Sequence, residues 1–347
     1  TTFTVNLGVS TVSAPTLSGT VFGFPGGYTS ADGAVSADET LNALILSEIR
    51  APRLVLAVLI GFALGLSGAA VQGLLQNGPA EPSILGAANS AALGAVLAIY
   101  IGLTGTLSFA VPLMASGGAL ISVVLLFILA GQRGDTLRLI LAGFAISAFA
   151  GSGISLTLNL SDNYFAALEI TYWLLGSLEN RSWSHVGLVL PLILIGCGTM
   201  LSVGKQLDAL ILGDDTAFSL GANIMRIRVQ LAFGIALAIG GAVAVAGVVG
   251  FVGLVAPHII RPFFGYMPSR ALLPSAILGS ILLVAADLLI RLLPTMTELK
   301  LGVVTALLGV PFFIYLLFII SCLSLIHISE PTRPERIGDA GVWVKKK

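Results

Sequence analysis

The sequence predicts an all-α protein that crosses a membrane several times, and two observations support this prediction. Of the 347 residues, 56% are hydrophobic and 10% are charged, and the mean hydropathy is +1.01. Soluble globular domains average about 25% charged residues, because their surfaces contact water. The apolar residues also fall into runs of about 20, the length of a helix that spans a bilayer. We therefore expect an integral, multi-pass membrane protein.

Nine apolar segments are predicted. One of them, Phe251–Phe264, is too short for an ordinary span, and we interpret it as a short helix that packs against protein rather than lipid. The other eight have about the length of a membrane-spanning helix. In chain order they are Leu54–Leu75, Ile84–Leu103, Leu107–Ala130, Leu139–Leu160, Val186–Val203, Val229–Val248, Leu272–Leu293 and Val303–Ile320.

Glycine is frequent inside these segments, and this indicates close packing of helices. The chain has 41 glycines, many of them in the apolar runs. Lipid gives helices no hydrophobic reason to associate, so membrane helices often meet at small residues that let their backbones approach. Gly61 and Gly65 lie four residues apart, on one face of a helix. We expect this pair to contact another helix.

The polar insertion Lys205–Arg228 predicts a short helix outside the membrane. Asp214 and Asp215 follow Gly213, so their carboxylates lie where a helix N-terminus exposes free N–H groups. Gly221 lies where such a helix would stop. The apolar residues expected to contact a partner are Leu212, Ala217 and Leu220.

The sequence carries no motif for chemistry on a substrate. Its three histidines, His185, His258 and His327, lack the spacing of metal ligands, and its two cysteines lack metal or redox spacing. Lys205 follows a glycine but lacks the upstream glycine of a phosphate-binding loop. A formal net charge of zero gives no sign of a nucleic-acid partner. We expect a transport protein with no catalytic residues, no metal site and no cofactor.

Two other functional classes stay open at this point. One is a secondary transporter, driven by an ion gradient across a pathway lined by Asp287 and His258. Such a carrier has no need of a capped apolar helix in Lys205–Arg228. The other is a non-transporting membrane receptor, which predicts that no ATPase is encoded nearby.

Several motifs, taken in order, resemble those of one transporter family. They are IRAPR (Ile49–Arg53), SGAAVQGLLQN (Ser67–Asn77), AEPSILG (Ala80–Gly86), YWLLGSLENRSW (Tyr172–Trp183), LILGDDTAFSLG (Leu210–Gly221), GFVGLVAPHIIR (Gly250–Arg261), LLPSAILGSILLVAADLLIR (Leu272–Arg291) and LGVVTALLGVPFFIYLL (Leu301–Leu317). From about Ile49 to Ile320 the chain is similar to permease subunits of the iron-siderophore, haem and cobalamin class of ABC importers (FecCD-type).

The resemblance implies a fold, partners and a location. The fold is the type II ABC importer permease fold of ten helices, of which the first is expected to be missing here. Two permeases, identical or different, would work with two ATPase subunits, which hydrolyse ATP. A periplasmic or lipid-anchored binding protein would deliver the substrate. The location would be a bacterial inner membrane.

The resemblance also implies which residues form the coupling loop. Lys205–Arg228 matches the family's cytoplasmic loop, whose short helices dock on the ATPase. This match sets the orientation of the chain in the membrane, which the distribution of basic residues indicates only weakly. The expected ATPase-coupling residues are Leu212, Gly213, Asp214, Asp215, Ala217, Leu220 and Gly221.

Three arginines match family residues that receive acidic groups of the binding protein. They are Arg50, Arg53 and Arg291. Interfacial snorkelling would also place arginines at span ends, and it is the alternative interpretation. Asp287 lies four residues before Arg291, so we expect a helical ion pair that holds this arginine in place.

A turn after the first complete span is expected to narrow the pathway on the cytoplasmic side. Its residues are Gln76, Asn77 and Pro79. The chain reads NGPAEP here, and Pro79 stands where the family has a leucine.

In GFVGLVAPHIIR, the resemblance implies a short helix that ends at the cytoplasmic side, with His258 in a structural role.

The substrate and the two ends of the chain are assigned as follows. Ser161–Trp183 resembles ferric-siderophore members more than cobalamin members, and haem is an alternative.

Residues 1–48 are expected to be a periplasmic loop after the missing first helix, and 49–320 the permease domain. LSLIHISEPTR resembles a translated sequencing adapter, so residues 323–347 are expected to be non-native. A genuine cytoplasmic tail is the alternative.

Overall fold

The computed structural model describes residues 4–6, 11–13, 42–103, 107, 109–131, 136–161, 163–265, 267–293 and 299–328, with side chains described within 42–315. The chain divides into two compact units, Thr1–Gly309 and Val310–Lys347. Most of the expected N-terminal loop, and residues 329–347 of the expected non-native tail, lie outside the described residues. The assignment of these ends stays a prediction.

Helices dominate the described secondary structure. Two three-residue strands, β1 (Thr4–Asn6) and β2 (Thr11–Ser13), pair antiparallel. A π-helical turn, Leu46–Arg50, leads into the first α-helix, and 3₁₀ helices occupy Pro82–Leu85 and Arg261–Phe264. The α-helices are α1 (Ala51–Leu75), α2 (Ala87–Tyr100), α3 (Ala110–Ala130), α4 (Thr136–Asn159), α5 (Tyr164–Leu174), α6 (Trp183–Ser202), α7 (Gly204–Leu210), α8 (Asp214–Ser219), α9 (Ile224–Ala246), α10 (Val252–Ile260), α11 (Pro268–Leu292) and α12 (Leu301–Ile328).

Six helices in the described part of the chain are long and apolar enough to cross a membrane. They are α1 with the turns before it, α3, α4, α6, α9 and α11. Three shorter apolar helices are α2, Val252–Phe264 and Leu301–Tyr315. The prediction of an all-α, multi-pass membrane protein is confirmed. The count of nine segments stays a prediction, because α2 and Val252–Phe264 fall below the usual spanning length of about 20 residues.

α1 and α9 are the most deeply buried of the spanning helices. Within the apolar window of each, 72% of α1 and 83% of α9 is buried, against 28% to 39% for the other four. Both helices are rich in glycine and alanine, whose small side chains let neighbouring helices surround them. The other four helices leave more of their own surface exposed.

α1 packs on α11 through direct backbone contact. A Cβ atom added at Gly61 would lie 2.5 Å from the carbonyl oxygen of Gly279, and one added at Gly65 would overlap the carbonyl oxygen of Ser275. The Ser280 hydroxyl donates to the Val58 carbonyl at 2.9 Å across the same contact. The expected use of Gly61 and Gly65 in close helix packing is confirmed.

The short helix α10 packs against protein, as predicted. Five of its nine residues are buried. Phe251 precedes the helix with φ +66°, and Pro257 lies inside it. Because proline has no N–H group, the Gly253 carbonyl lacks its usual partner four residues later. This carbonyl faces Gly68 of α1, at a position where a Cβ atom would overlap it.

Two helix boundaries differ from the sequence-based prediction. The run Ile84–Leu103 was expected to be one span, but Gly86, with φ +82°, separates a 3₁₀ helix from a 14-residue α2. The polar stretch Ser161–Trp183 contains the 11-residue helix α5, which was not predicted. Its start signal was present in the sequence, because the Asn163 side chain accepts a hydrogen bond from the Phe165 N–H at 3.0 Å.

Candidate functional site

The coupling segment, Gly204–Asn223, contains the two short helices α7 and α8. α8 begins at Asp214 directly after Gly213, which has φ +91°, and its first turn holds Asp214 and Asp215. Gly221, with φ +84°, follows the end of the helix. The predicted short helix and its glycine stop are therefore confirmed, whereas no side chain makes a capping hydrogen bond at its N-terminus. The role of this segment in coupling stays a prediction.

The segment exposes large apolar side chains, although not the full expected set. Leu212 is 60% exposed and Leu220 is 66% exposed, as a contact surface for a partner requires. Ala217 was expected to contact the partner as well, and this is corrected because it is fully buried within the chain. Phe218, 74% exposed, was missed, although the sequence TAFSLG placed an aromatic residue on the predicted helix.

Two carboxylates hold the coupling segment to the spanning helices. Asp214 pairs with Arg228 of α9 at 2.8 Å, and Arg228 is nearly buried. Asp208 of α7 accepts hydrogen bonds from the backbone N–H of Ser269, at 2.9 Å, and from its hydroxyl. Ser269 lies in the first turn of α11, where N–H groups have no partner within the helix. No sequence pattern could have identified the bond of Asp208, because it joins residues 61 positions apart.

The Gln76 turn, Gln76–Ala80, follows α1 and contains the expected pathway residues. Gln76 has the left-handed conformation, with φ 51°, and Asn77 and Pro79 are exposed. The Gln76 side chain donates a hydrogen bond to the carbonyl of Leu210 in the coupling segment. The structure therefore joins two sites that the sequence analysis had treated separately.

Glu81 connects the same region to α10. One carboxylate oxygen accepts a hydrogen bond from the Phe251 N–H at 2.9 Å, and the other accepts one from the Ser83 hydroxyl at 3.2 Å. Phe251 has a positive φ, which is strained for a side-chain-bearing residue. The bond to Glu81 helps to hold that conformation at the start of the helix.

Two of the three predicted docking arginines meet on one carboxylate. Arg53 of α1 lies 2.8 Å from Asp287 Oδ1, and Arg291 of α11 lies 2.8 Å from Asp287 Oδ2. The predicted helical ion pair between Asp287 and Arg291 is confirmed. Arg50 lies at the end of the π-helical turn, three residues before Arg53. The side chains of Arg53 and Arg291 are only 13% and 16% exposed.

The structure does not bring Asp287 and His258 together. Asp287 contacts Arg53 near the start of α1, whereas α10, which contains His258, meets α1 near Gln72, whose side chain donates to the Leu254 carbonyl. Nineteen residues separate Arg53 from Gln72, which corresponds to about 28 Å along a helix. A single ion site built from both side chains is therefore not formed.

Comparison with known proteins identifies the family. Residues 8–319 match the FecCD transport family. The chain belongs to the FecCD transport family. This FecCD protein is 40% identical to the vitamin B12 import system permease protein BtuC of Vibrio cholerae, over 81% of this chain and 85% of the relative. It is 38% identical to the Fe(3+) dicitrate transport system permease protein FecD of Escherichia coli, over 79% and 85% of the two chains.

A solved structure supports the same assignment for the FecCD protein. The structure belongs to a chain assigned to the metal-chelate-type ABC transporters, in an inward-facing conformation. It superposes with a TM-score of 0.76 at 26% identity, over 82% of this chain and 91% of the solved one. The FecCD protein is thus a membrane-spanning permease subunit of an ABC transporter. Such a subunit is not an enzyme, because a separate ATPase subunit hydrolyses ATP.

Proposed function

We propose that the chain is a permease subunit of an ATP-driven importer in a bacterial inner membrane, which moves a ferric siderophore from the periplasm to the cytoplasm. It works with a second permease subunit, two copies of an ATPase subunit, and a periplasmic or lipid-anchored binding protein. The coupling segment is the observation that carries this proposal. Its exposed Leu212, Phe218 and Leu220 form an apolar surface outside the spanning helices, and an ATPase subunit would cover this surface.

The proposed direction of transport places the coupling segment and the Gln76 turn at the cytoplasmic end. Arg50, Arg53 and Arg291 then lie at the periplasmic end, where they receive acidic groups of the binding protein. Asp287 neutralises one of the two charges of Arg53 and Arg291, so this pair keeps a net charge of +1. Asp287 also fixes the orientation of both guanidinium groups before the binding protein arrives.

The proposed substrate is a ferric siderophore. The similarity of Ser161–Trp183 to siderophore members supports this choice. The named relatives serve Fe(3+) dicitrate in one case and vitamin B12 in the other. Cobalamin and haem are therefore the comparison substrates in the test.

An ion-driven carrier is the less favoured function. Its proposed pathway depends on Asp287 and His258, and Asp287 is held by two arginines. Both carboxylate oxygens of Asp287 are engaged in ion pairs within the chain, which leaves neither of them free to line an ion pathway.

The test is transport by a reconstituted complex. The permease is purified with the ATPase and binding protein encoded beside it, placed in liposomes, and supplied with a ferric siderophore, haem or cobalamin. We expect uptake of the siderophore that requires both ATP and the binding protein. Uptake driven by an ion gradient without ATP would contradict the importer. Uptake of cobalamin or haem in preference would contradict only the substrate.

A further inference from the structure

The coupling segment is bonded to two spanning helices at its edge. The Gln76 side chain, at the end of α1, donates to the Leu210 carbonyl. The Asp208 carboxylate accepts from the N–H and the hydroxyl of Ser269, at the start of α11. These two bonds reach different helices.

Apolar packing surrounds both bonds. A Cβ atom added at Gly73 of α1 would lie 3.1 Å from Pro268 of α11 and 3.6 Å from Leu207 of α7. Leu207 and Leu210 are both buried. The end of α1, the start of α11 and the whole of α7 therefore meet at one point with little free space.

The two bonds use backbone groups at helix ends. Leu210 is the last residue of α7, and its carbonyl also accepts a hydrogen bond from the Gly213 N–H at 3.0 Å, in the turn that leads to α8. The Ser269 N–H is one of the free N–H groups at the start of α11. Bonds to such groups act on the helix as a whole rather than on a mobile side chain.

We propose that Gln76 and Asp208 are positioning residues that pass a displacement of the coupling segment to two targets. Through the Gln76 side chain, the displacement reaches the rest of the Gln76 turn. Through the Asp208 carboxylate, it reaches α11. This inference rests on the proposed function, in which the ATPase moves the coupling segment. It assigns to Gln76 a linking role rather than closure of the pathway, which falls to the exposed Asn77 and Pro79 of the same turn.

The test compares the amount of transport with the amount of ATP hydrolysed. Gln76→Met keeps the length of the side chain and removes the donor, and Asp208→Ala removes the acceptors. The readout is the number of substrate molecules moved per ATP hydrolysed by the reconstituted complex. We expect this ratio to fall by about fivefold or more in each variant. The ratio is compared between complexes of equal ATPase content, so that a loss of ATPase recovery is not counted as a loss of coupling.

Gln230→Met is the matched control. Gln230 is a glutamine of α9 that donates to the Ser202 hydroxyl at 3.0 Å, outside the bonds that join the coupling segment to α1 and α11. The same chemical change there should leave the ratio unchanged. If Asp208→Ala does not assemble, Asp208→Asn keeps the shape and one acceptor but loses the charge, and its ratio should lie between those of the wild type and Gln76→Met.

Hydrogen exchange gives a second readout that does not require transport. Addition of the ATPase should slow amide exchange at Asn77, Gly78 and Ala80 of the wild-type complex and have a smaller effect in Gln76→Met. An unchanged transport ratio together with an unchanged exchange response in the Gln76 and Asp208 variants would overturn the inference. A wild-type complex that moves no tested substrate but shows the exchange response would contradict the proposed function and leave this link supported.

Discussion

Ala217 and Leu220 lie three residues apart in the coupling segment, yet they face opposite environments. Ala217 is fully buried, whereas Leu220 is 66% exposed. The same substitution should therefore act in two different ways. A charge at residue 217 is placed inside the chain without a partner, and a charge at residue 220 reaches only the surface that the ATPase would cover.

We predict that Ala217→Asp destabilises the permease and that Leu220→Asp does not. A buried, unpaired carboxylate costs several kcal/mol, so Ala217→Asp should lower the thermal midpoint of the isolated permease in detergent. Leu220→Asp should keep the midpoint and lose co-purification of the ATPase. Equal ATPase recovery for Leu220→Asp and the wild type would contradict the coupling assignment, since the folded permease would bind without that contact.

Asp287 is the residue on which two arginine side chains converge. We predict that Asp287→Asn lowers the thermal midpoint of the permease, because removing one partner of a buried ion pair typically costs about 3–5 kcal/mol. Thermal unfolding of the purified protein measures this effect. Leu288→Ala is a suitable control, because that side chain is exposed at the apolar surface of the same helix. A loss of stability no larger than that of the control would mean that the ion pairs contribute little.

At the scale of elements, much of the helical pattern was predictable from the sequence. Runs of apolar residues marked the long helices, and Gly213 and Gly221 marked the limits of α8. The boundary at Gly86 was missed, because an apolar run hides a glycine that breaks the helix. α5 was missed because its 11 residues are too few to form an apolar run of spanning length. The contacts of Gln76 and Asp208 depend on tertiary structure, and no local pattern encodes them.

The contact between α1 and α10 allows a test of whether residue 68 must be glycine. We predict that Gly68→Ala destabilises the permease by about 1–3 kcal/mol or more, because the new Cβ atom would overlap the Gly253 carbonyl. Gly117→Ala in α3 is the matched control, since no atom lies within 4 Å of its added Cβ. Alanine favours a helix over glycine by about 1 kcal/mol, so the control should be neutral or stabilising. Thermal unfolding of both variants in the same detergent compares them, and equal midpoints would refute the steric interpretation.

At the scale of the whole molecule, the three predicted docking arginines, Arg50, Arg53 and Arg291, predict how the affinity for the binding protein depends on salt. Arg50→Glu together with Arg53→Glu should weaken binding of the isolated binding protein to the reconstituted complex. Because the change at Arg53 also breaks its ion pair with Asp287, the thermal midpoint of the variant is measured first, and Arg50→Glu alone is the variant that leaves this pair intact. Affinity for the wild type should fall as salt rises, because screening acts over about 8–10 Å at moderate ionic strength. The measurement is a titration at several salt concentrations. If the double reversal changes neither the affinity nor its salt dependence, these arginines are membrane anchors only.

The C-terminal helix α12 allows a prediction about how much of the chain after Ile320 the permease needs. Leu301–Ile320 is long enough to span a bilayer without the residues that follow, since about 20 residues suffice. Truncation after Ile320 should therefore leave expression and ATP-dependent uptake unchanged. Expression is measured by the yield of folded permease, and uptake by the liposome assay. A loss of either would show that residues 321–347 contribute to the protein.

The backbone contact between α1 and α11 limits how this permease can be recombined with its relatives. Because Gly61, Gly65 and Gly279 leave no room for side chains, the two helices fit only as a matched pair. They are also joined near one end through Arg53 and Asp287, although more than 200 residues separate them in sequence. A chimera with a single crossover between α1 and α11 would take the two helices from different parents. Functional hybrids should therefore inherit both helices from one parent, so that exchange of the segment between them requires two crossovers rather than one.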